Sequence, residues 1–117
     1  MLLKENLYRV IDKCDLGTVM EKAVSYLLSK NPNRPLFTSV DIDAVDPTHA
    51  PATSTAARGG LMCEMLFVAE CSCECGNLIG LELVELNPNL CSDVDGVTDA
   101  IDLGKMIVTS FLGKSVI

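Results

Sequence analysis

The stretch from residue 39 to residue 60, SVDIDAVDPTHAPATSTAARGG, limits most strongly what this chain can fold into. An apolar run from Leu36 predicts a strand over residues 36–43, whose side chains point alternately to opposite faces. Asp41 and Asp43 are therefore expected on one face, about 7 Å apart, at the carboxyl end of the strand. Two such carboxylates repel each other unless a cation lies between them, which favours a divalent metal. The alternative from spacing alone is that these acids cap a helix or face water.

Residues 46–60 predict a long loop that contains two prolines, two glycines and four Thr or Ser residues. Loops of this length in a compact domain usually carry function rather than simply connecting elements. Asp46 is predicted to be structural, stabilising the turn before the prolines. His49 is the only histidine, and its place inside the loop predicts a surface side chain.

The flanking sequence alternates helical and strand patterns. Strands are predicted near residues 7–11, 36–43 and 78–86, the second with both faces covered because it is almost wholly apolar up to the aspartates. Helices are predicted after Thr18, which can serve as the N-cap, over residues 61–75 with Gly76 as the C-terminal cap, and from Ser92 or Asp95 onward. This alternation predicts an α/β fold with a parallel sheet in one domain segment spanning residues 1–117.

Composition excludes several classes of function. Hydrophobic residues make up 49% of the chain and the net charge is −7, which favours a packed globular segment without a basic patch. Nucleic acid and anionic membranes are therefore poor partners, whereas metals and small cations suit the charge. Charges interrupt every apolar window that could span a membrane, and residues 1–6 lack the features of a signal peptide. A cytoplasmic protein is expected.

The six cysteines are expected to be reduced thiols, because no secretion signal accompanies them. Cys71, Cys73 and Cys75 alternate along the chain instead of having the two-residue gap of common zinc motifs. The pattern favours small residues at a helix end over a metal site.

Two motifs resemble the ureohydrolase family, which includes arginase and agmatinase. Residues 39–52 with the Gly pair at 59–60 resemble the second metal-ligand motif of that family, and residues 80–88, GLELVELNP, resemble its strand ending in a substrate-binding glutamate. The PAT at residues 51–53 and the NP at residues 87–88 are closer to arginases than to agmatinases. The resemblance runs through nearly all of the chain and covers the C-terminal part of a family subunit. It implies part of a three-layer α/β/α fold.

The resemblance also implies roles for individual residues. Asp41 would bridge two manganese ions and Asp43 would ligate one of them. Glu85 would bind the guanidinium group of the substrate, although its position alone equally allows a solvent-facing acid. Thr55 would lie near the same group. The family usually has Thr-Gly-Thr-Pro where this chain has Thr-Ser-Thr-Ala at residues 53–56, and this departure changes the backbone angles open to the loop.

The implied activity is manganese-dependent hydrolysis of L-arginine to L-ornithine and urea, with agmatinase or another amidinohydrolase as the alternative. The histidine-containing ligand motifs of the family, Gly-Gly-Asp-His and Asp-x-His-x-Asp, do not occur in the sequence. The chain alone is therefore expected to be inactive. The family resemblance implies homo-oligomers, trimers or hexamers, for the complete protein. A further alternative is a non-catalytic remnant that binds full-length subunits.

Overall fold

The computed structural model describes residues 16–61 and 64–113. The chain divides into two compact units, Met1–Arg34 and Pro35–Ile117. In the first unit the described structure contains helix α1, Leu16–Leu28. This helix begins before Thr18, so the prediction that Thr18 caps it is wrong. The strand predicted at residues 7–11 lies outside the described residues.

The second unit alternates strands and helices, as predicted. In chain order its elements are strand β1 (Leu36–Asp41), a 3-10 turn (Ile42–Ala44), helix α2 (Glu64–Glu74), strand β2 (Leu78–Val84), a second 3-10 turn (Pro88–Leu90) and helix α3 (Val94–Phe111).

Strands β1 and β2 pair in parallel to form a sheet, with a register that runs from Phe37 opposite Gly80 to Asp41 opposite Val84. The predicted neighbours are thus confirmed. Because parallel strands end at the same edge of a sheet, Asp41 and the residue after Val84, which is Glu85, leave the sheet side by side. This edge is where open α/β sheets place ligand sites.

The faces of the sheet differ. Val40 is buried, and Leu83 packs against the core. On the opposite face of β1, Phe37 is 61% exposed, so the prediction of a strand covered on both faces is wrong for the described residues. On this open face Ser39 Oγ donates a hydrogen bond to Glu82 Oε1 at 2.8 Å.

Helices α2 and α3 pack against each other, and α3 also packs against β2. Within α3, Ile107 and Phe111 are almost fully buried, and burying each such side chain stabilises the fold by about 1.5–3 kcal/mol. Gly104 lets the helix approach the strand, since a Cβ there would lie 3.1 Å from Leu83 Cδ2. The core consists of Val40, Ile42, Val45, Ala50, Ala52, Met65, Leu66, Ala69, Ala100, Ile107 and Phe111.

The helix ends are set by identifiable residues. Gly76 has a φ of +74° after α2, which confirms it in the predicted capping role. Helix α2 starts at Glu64 rather than Leu61, because Leu61 forms a parallel bridge with Val45 instead. The N-cap of α3 is neither Ser92 nor Asp95 but Asp93, whose carboxylate accepts a hydrogen bond from the Gly96 N–H.

Among the described residues, no helix combines the length and the apolar character that crossing a bilayer requires.

Candidate active site

Contrary to the sequence prediction, Asp41 and Asp43 do not both lie on β1. The strand ends at Asp41, and Asp43 lies in the 3-10 turn Ile42–Ala44. Asp41 Oδ1 accepts a hydrogen bond from the Asp43 N–H at 2.9 Å, which caps this turn. The prediction that both side chains project from one strand face is therefore wrong, because the carboxylate of the first acid ends the strand before the second.

Asp43 is the more sheltered of the two acids. Its Oδ1 atom is buried and has no hydrogen-bond partner. Desolvation raises the pKa of its carboxyl, and the charges of Asp41 and Glu85 raise it further, whereas the backbone N–H of Thr55 lowers it. The charges of Asp41 and Glu85 thus act on Asp43 at the edge where the strands end.

Glu85 follows β2 with a φ of +65°, in the left-handed region. This conformation costs a non-glycine residue roughly 1–2 kcal/mol. Thr53 Oγ1 donates a hydrogen bond to the Glu85 carbonyl oxygen at 3.0 Å, and the Asn87 N–H donates to the Ala52 carbonyl at 2.9 Å. The loop thus holds the strained backbone in place, and strain of this kind concentrates at functional sites.

Residues 53–55 connect the loop to the acids. Ser54 Oγ donates a hydrogen bond to Glu85 Oε2 at 3.1 Å. Thr55, the predicted substrate neighbour, is exposed, and its Oγ1 lies 3.4 Å from Ser54 Oγ. Sequence reasoning missed the contacts of Thr53 and Ser54 with Glu85. A signal was present, because three hydroxyl residues stand in a row where the family motif has a central glycine.

Asp46 stabilises the loop, as its structural interpretation requires. Its Oδ1 accepts hydrogen bonds from the Thr48 N–H at 2.9 Å and from Thr48 Oγ1 at 2.7 Å. Its Oδ2 accepts from the Gly59 N–H at 2.7 Å. Hydrogen bonds from Thr48 and Gly59 lower the pKa of Asp46 to about 2. Both oxygens are therefore engaged within the loop.

The two ends of the loop meet at a backbone closure. The Leu61 N–H donates to the Ala44 carbonyl at 2.8 Å, and the Asp46 N–H donates to the Leu61 carbonyl at 2.9 Å. Gly60 permits this approach, since a Cβ there would lie 2.7 Å from both the Ala44 oxygen and the Asp46 nitrogen. We refer to this arrangement of residues 44–46 and 60–61 as the loop neck.

The remaining ligand-type side chains do not join this site. His49 is exposed, as predicted, and its backbone N–H donates to the Asp46 carbonyl at 2.9 Å. Cys73 and Cys75 lie at the end of α2 without a disulfide, and Cys75 Sγ donates to the Ser72 carbonyl. Cys14 and Cys63 lie outside the described residues.

The described residues fit part of a divalent cation site. Asp41 and Asp43 offer hard oxygen donors, and the buried Oδ1 of Asp43 lacks a partner. Across residues 16–61 and 64–113, however, no group of three or more His, Cys, Asp or Glu side chains is arranged to hold a metal ion. A complete metal shell therefore needs ligands from elsewhere, and the metal roles of Asp41 and Asp43 stay predictions.

The sequence matches the model of the Arginase family over residues 6–112. The chain belongs to the arginase family. It is 40% identical to the arginase of Emericella nidulans over 108 residues, which cover 92% of this chain and 32% of that protein. It is 38% identical to arginase-1 of Sus scrofa over 104 residues, which cover 88% of this chain and 32% of that protein. The chain thus spans about a third of the length of these relatives.

Solved structures confirm the predicted fold class. Arginase from Bacillus caldovelox superposes with a TM-score of 0.75 at 27% identity, covering 95% of this chain and 35% of that one. Formimidoylglutamase from Bacillus subtilis, at 23% identity, shares the fold with a TM-score of 0.72 and covers 95% of this chain and 34% of its own. The chain therefore has a partial α/β arginase fold.

Proposed function

We propose that this chain is the part of a manganese-dependent arginase that carries two metal-ligating aspartates and a substrate-binding glutamate. The complete protein would hydrolyse L-arginine with water to L-ornithine and urea. The observation that supports this proposal most directly is that Asp41 and Glu85 leave parallel strands β1 and β2 at the same edge of the sheet, with Asp43 in the turn that follows β1. Since the chain spans about a third of its relatives, the proposal concerns the complete protein.

Asp41 and Asp43 would hold manganese. Carboxylate oxygens suit this ion, and the pKa of Asp43 is raised by burial first and then by the negative charges of Asp41 and Glu85, which a cation would offset. The metal, when bound, would make water nucleophilic near neutral pH. One oxygen of Asp41 already accepts a hydrogen bond from the Asp43 N–H of the turn, which fixes the direction of its other oxygen.

Glu85 would bind the guanidinium group of the substrate. A carboxylate accepts two parallel charged hydrogen bonds from a planar guanidinium, which orients the carbon that water attacks. The hydrogen bond from Thr53 to the Glu85 carbonyl suits this role, because it helps to fix the backbone from which the side chain projects. Thr55 would lie near the same guanidinium group.

An assay of the complete protein with manganese tests this proposal. Arginine should release urea, and Glu85→Gln should lower kcat/KM for arginine at least about tenfold, because a charged hydrogen-bond partner is lost. Glu82→Gln is the matched control, since Glu82 is an exposed acid of β2 that hydrogen-bonds Ser39 on the open sheet face. Preference for agmatine over arginine would favour the agmatinase alternative, and inactivity toward both would refute the proposal.

The second candidate function is a non-catalytic remnant that binds a full-length arginase subunit. Phe37 at 61% exposure and Ile79 at 73% exposure favour it, because apolar side chains on strands usually need cover. The occupant would be the full-length subunit, which would cover this face. Size-exclusion chromatography of the chain with and without a full-length subunit tests this candidate. Co-elution supports it, and two independent peaks contradict it.

A further inference from the structure

The Glu85 carboxylate has a partner that belongs to the loop rather than to the sheet. Ser54 Oγ donates to Glu85 Oε2 at 3.1 Å, and the neighbouring Thr53 Oγ1 donates to the Glu85 carbonyl at 3.0 Å. Consecutive loop residues thus hold the backbone and the side chain of the same glutamate. Both Ser54 and Glu85 are exposed, so this hydrogen bond lies where a ligand can reach it.

The bond leaves the glutamate able to bind a cation. An ionised carboxylate has about four lone-pair sites on its two oxygens. Ser54 uses one site on Oε2, so both oxygens can still accept hydrogen bonds from a planar cation. An unrestrained glutamate loses rotamer freedom when it binds, whereas one already held in a single orientation loses less.

We propose that Ser54 is a positioning residue that holds the Glu85 carboxylate in the orientation that receives a guanidinium group. The identity of this ligand rests on the proposed function. The positioning itself rests on the hydrogen bonds of Thr53 and Ser54 with Glu85. A glycine at position 54, as in the family motif, supplies no hydroxyl, so this hydrogen bond is a property of this chain.

Nuclear magnetic resonance of the 117-residue chain tests both parts. The three-bond couplings between Hα and Hβ of Glu85 report its rotamer populations, and methylguanidinium chloride serves as the probe for binding. The variants are Ser54→Ala, which removes the donor, and Ser54→Thr, which keeps it. Ser39→Ala is the matched control, because it removes a Ser–Glu hydrogen bond of the same kind from Glu82 on the sheet face.

In the wild type, the Hα–Hβ couplings of Glu85 should be those of one dominant rotamer. In Ser54→Ala they should become averages over several rotamers. The same variant should weaken methylguanidinium binding about threefold to tenfold, as expected when one side chain must be ordered on binding instead of before it. Ser54→Thr should restore both properties. Ser39→Ala should leave the Glu85 couplings and the affinity unchanged. Amide spectra of each variant identify any loss of fold.

Unchanged Glu85 couplings in Ser54→Ala overturn the proposal. So does averaging of the couplings with no loss of affinity, because the orientation would then not matter for binding. If the couplings average but wild-type Glu85 does not respond to the probe, Ser54 still positions the glutamate. That result counts against the role of Glu85 in the proposed function instead.

Discussion

Glu85 combines a costly backbone conformation with a charged side chain. Its φ of +65° is unusual for any residue other than glycine. Replacing it by glycine removes the cost and the carboxylate together, whereas alanine removes the carboxylate and keeps the cost. We therefore expect Glu85→Gly to have a higher free energy of unfolding than Glu85→Ala by about 1 kcal/mol in urea titrations. Equal stabilities of the two variants would show that the left-handed backbone carries no strain.

At position 60, steric crowding by neighbouring backbone atoms requires glycine. A Cβ at this position would lie 2.7–2.8 Å from backbone atoms of Ala44, Val45 and Asp46, which cannot move aside as a flexible side chain could. We expect Gly60→Ala to lower the free energy of unfolding by about 1–3 kcal/mol. It should also speed amide hydrogen exchange at Leu61, whose N–H bonds to Ala44.

Gly59→Ala is the comparison for this effect. Gly59 has a φ of +77° and open space around it, so alanine there introduces backbone strain without a clash. Exchange at Leu61 should change less in this variant. If Gly59→Ala and Gly60→Ala speed exchange at Leu61 equally, crowding at the loop neck does not explain the need for Gly60.

The hydrogen bonds of Asp46 make the stability of the fold depend on pH. The pKa of Asp46 is lowered from 3.8 to about 2, so the folded state favours the charged form. Its contribution is fully present above pH 4 and is lost as pH falls from about 4 to about 2. We expect Asp46→Asn to be less stable than wild type at pH 7, with the difference shrinking through this window in thermal unfolding followed by circular dichroism.

Asp102→Asn is the control for Asp46. Asp102 pairs with Lys105 at 2.8 Å on the exposed face of α3, and such surface pairs contribute little to stability. Its removal should change the unfolding temperature only slightly. A stability difference for Asp46→Asn that stays constant from pH 7 to pH 2 would contradict the assignment.

At the scale of elements, the start of α3 depends on one of three neighbouring polar residues. Asp93 accepts a hydrogen bond from the Gly96 N–H at 3.1 Å, whereas Ser92 and Asp95 do not serve as the cap. We expect Asp93→Ala to lower the free energy of unfolding by about 1 kcal/mol in urea titrations. Ser92→Ala should have a much smaller effect. A larger loss from Ser92→Ala would place the start of the helix one residue earlier.

The elements themselves were largely predictable, and their ends were not. The apolar runs before Asp41 and Glu85 predicted two parallel neighbours, because acids that serve one site must leave the same sheet edge. The end of β1 depends on a bond from the Asp43 N–H to the Asp41 side chain. Periodicity cannot show such a bond. The start of α2 likewise depends on Leu61 pairing with Val45, a contact between distant parts of the sequence.

At the scale of the whole molecule, a long and specific motif made the fold predictable, and the arginase structures confirm it. The proximity of Asp43 and Glu85 also followed from the motif. The hydrogen bond from Ser54 to Glu85 did not, because Ser54 departs from the family pattern and its effect depends on the backbone of β2. That residues 1–117 form a single segment of one domain stays a prediction.

The chain by itself should lack arginase activity. Its described residues contain no complete group of metal ligands, and two aspartates alone hold manganese weakly. We expect weak binding of Mn²⁺, measured by electron paramagnetic resonance, that Asp41→Ala abolishes and Asp102→Ala leaves unchanged. No urea should appear from arginine with excess manganese. Urea release that Asp43→Ala removes would show that the chain completes a site by self-association.

The loop neck also has an evolutionary consequence. Because the backbone closes at Val45 and Leu61, the chain enters and leaves the loop at almost the same point. Insertions and deletions among the exposed residues 56–58 can therefore be accommodated without shifting β1 or α2, whereas Ala50 and Ala52 belong to the core and Thr53 bonds to Glu85. Residues 56–58 can thus vary in length and sequence while the part of the loop that packs in the core, and the acids beside it, are inherited unchanged.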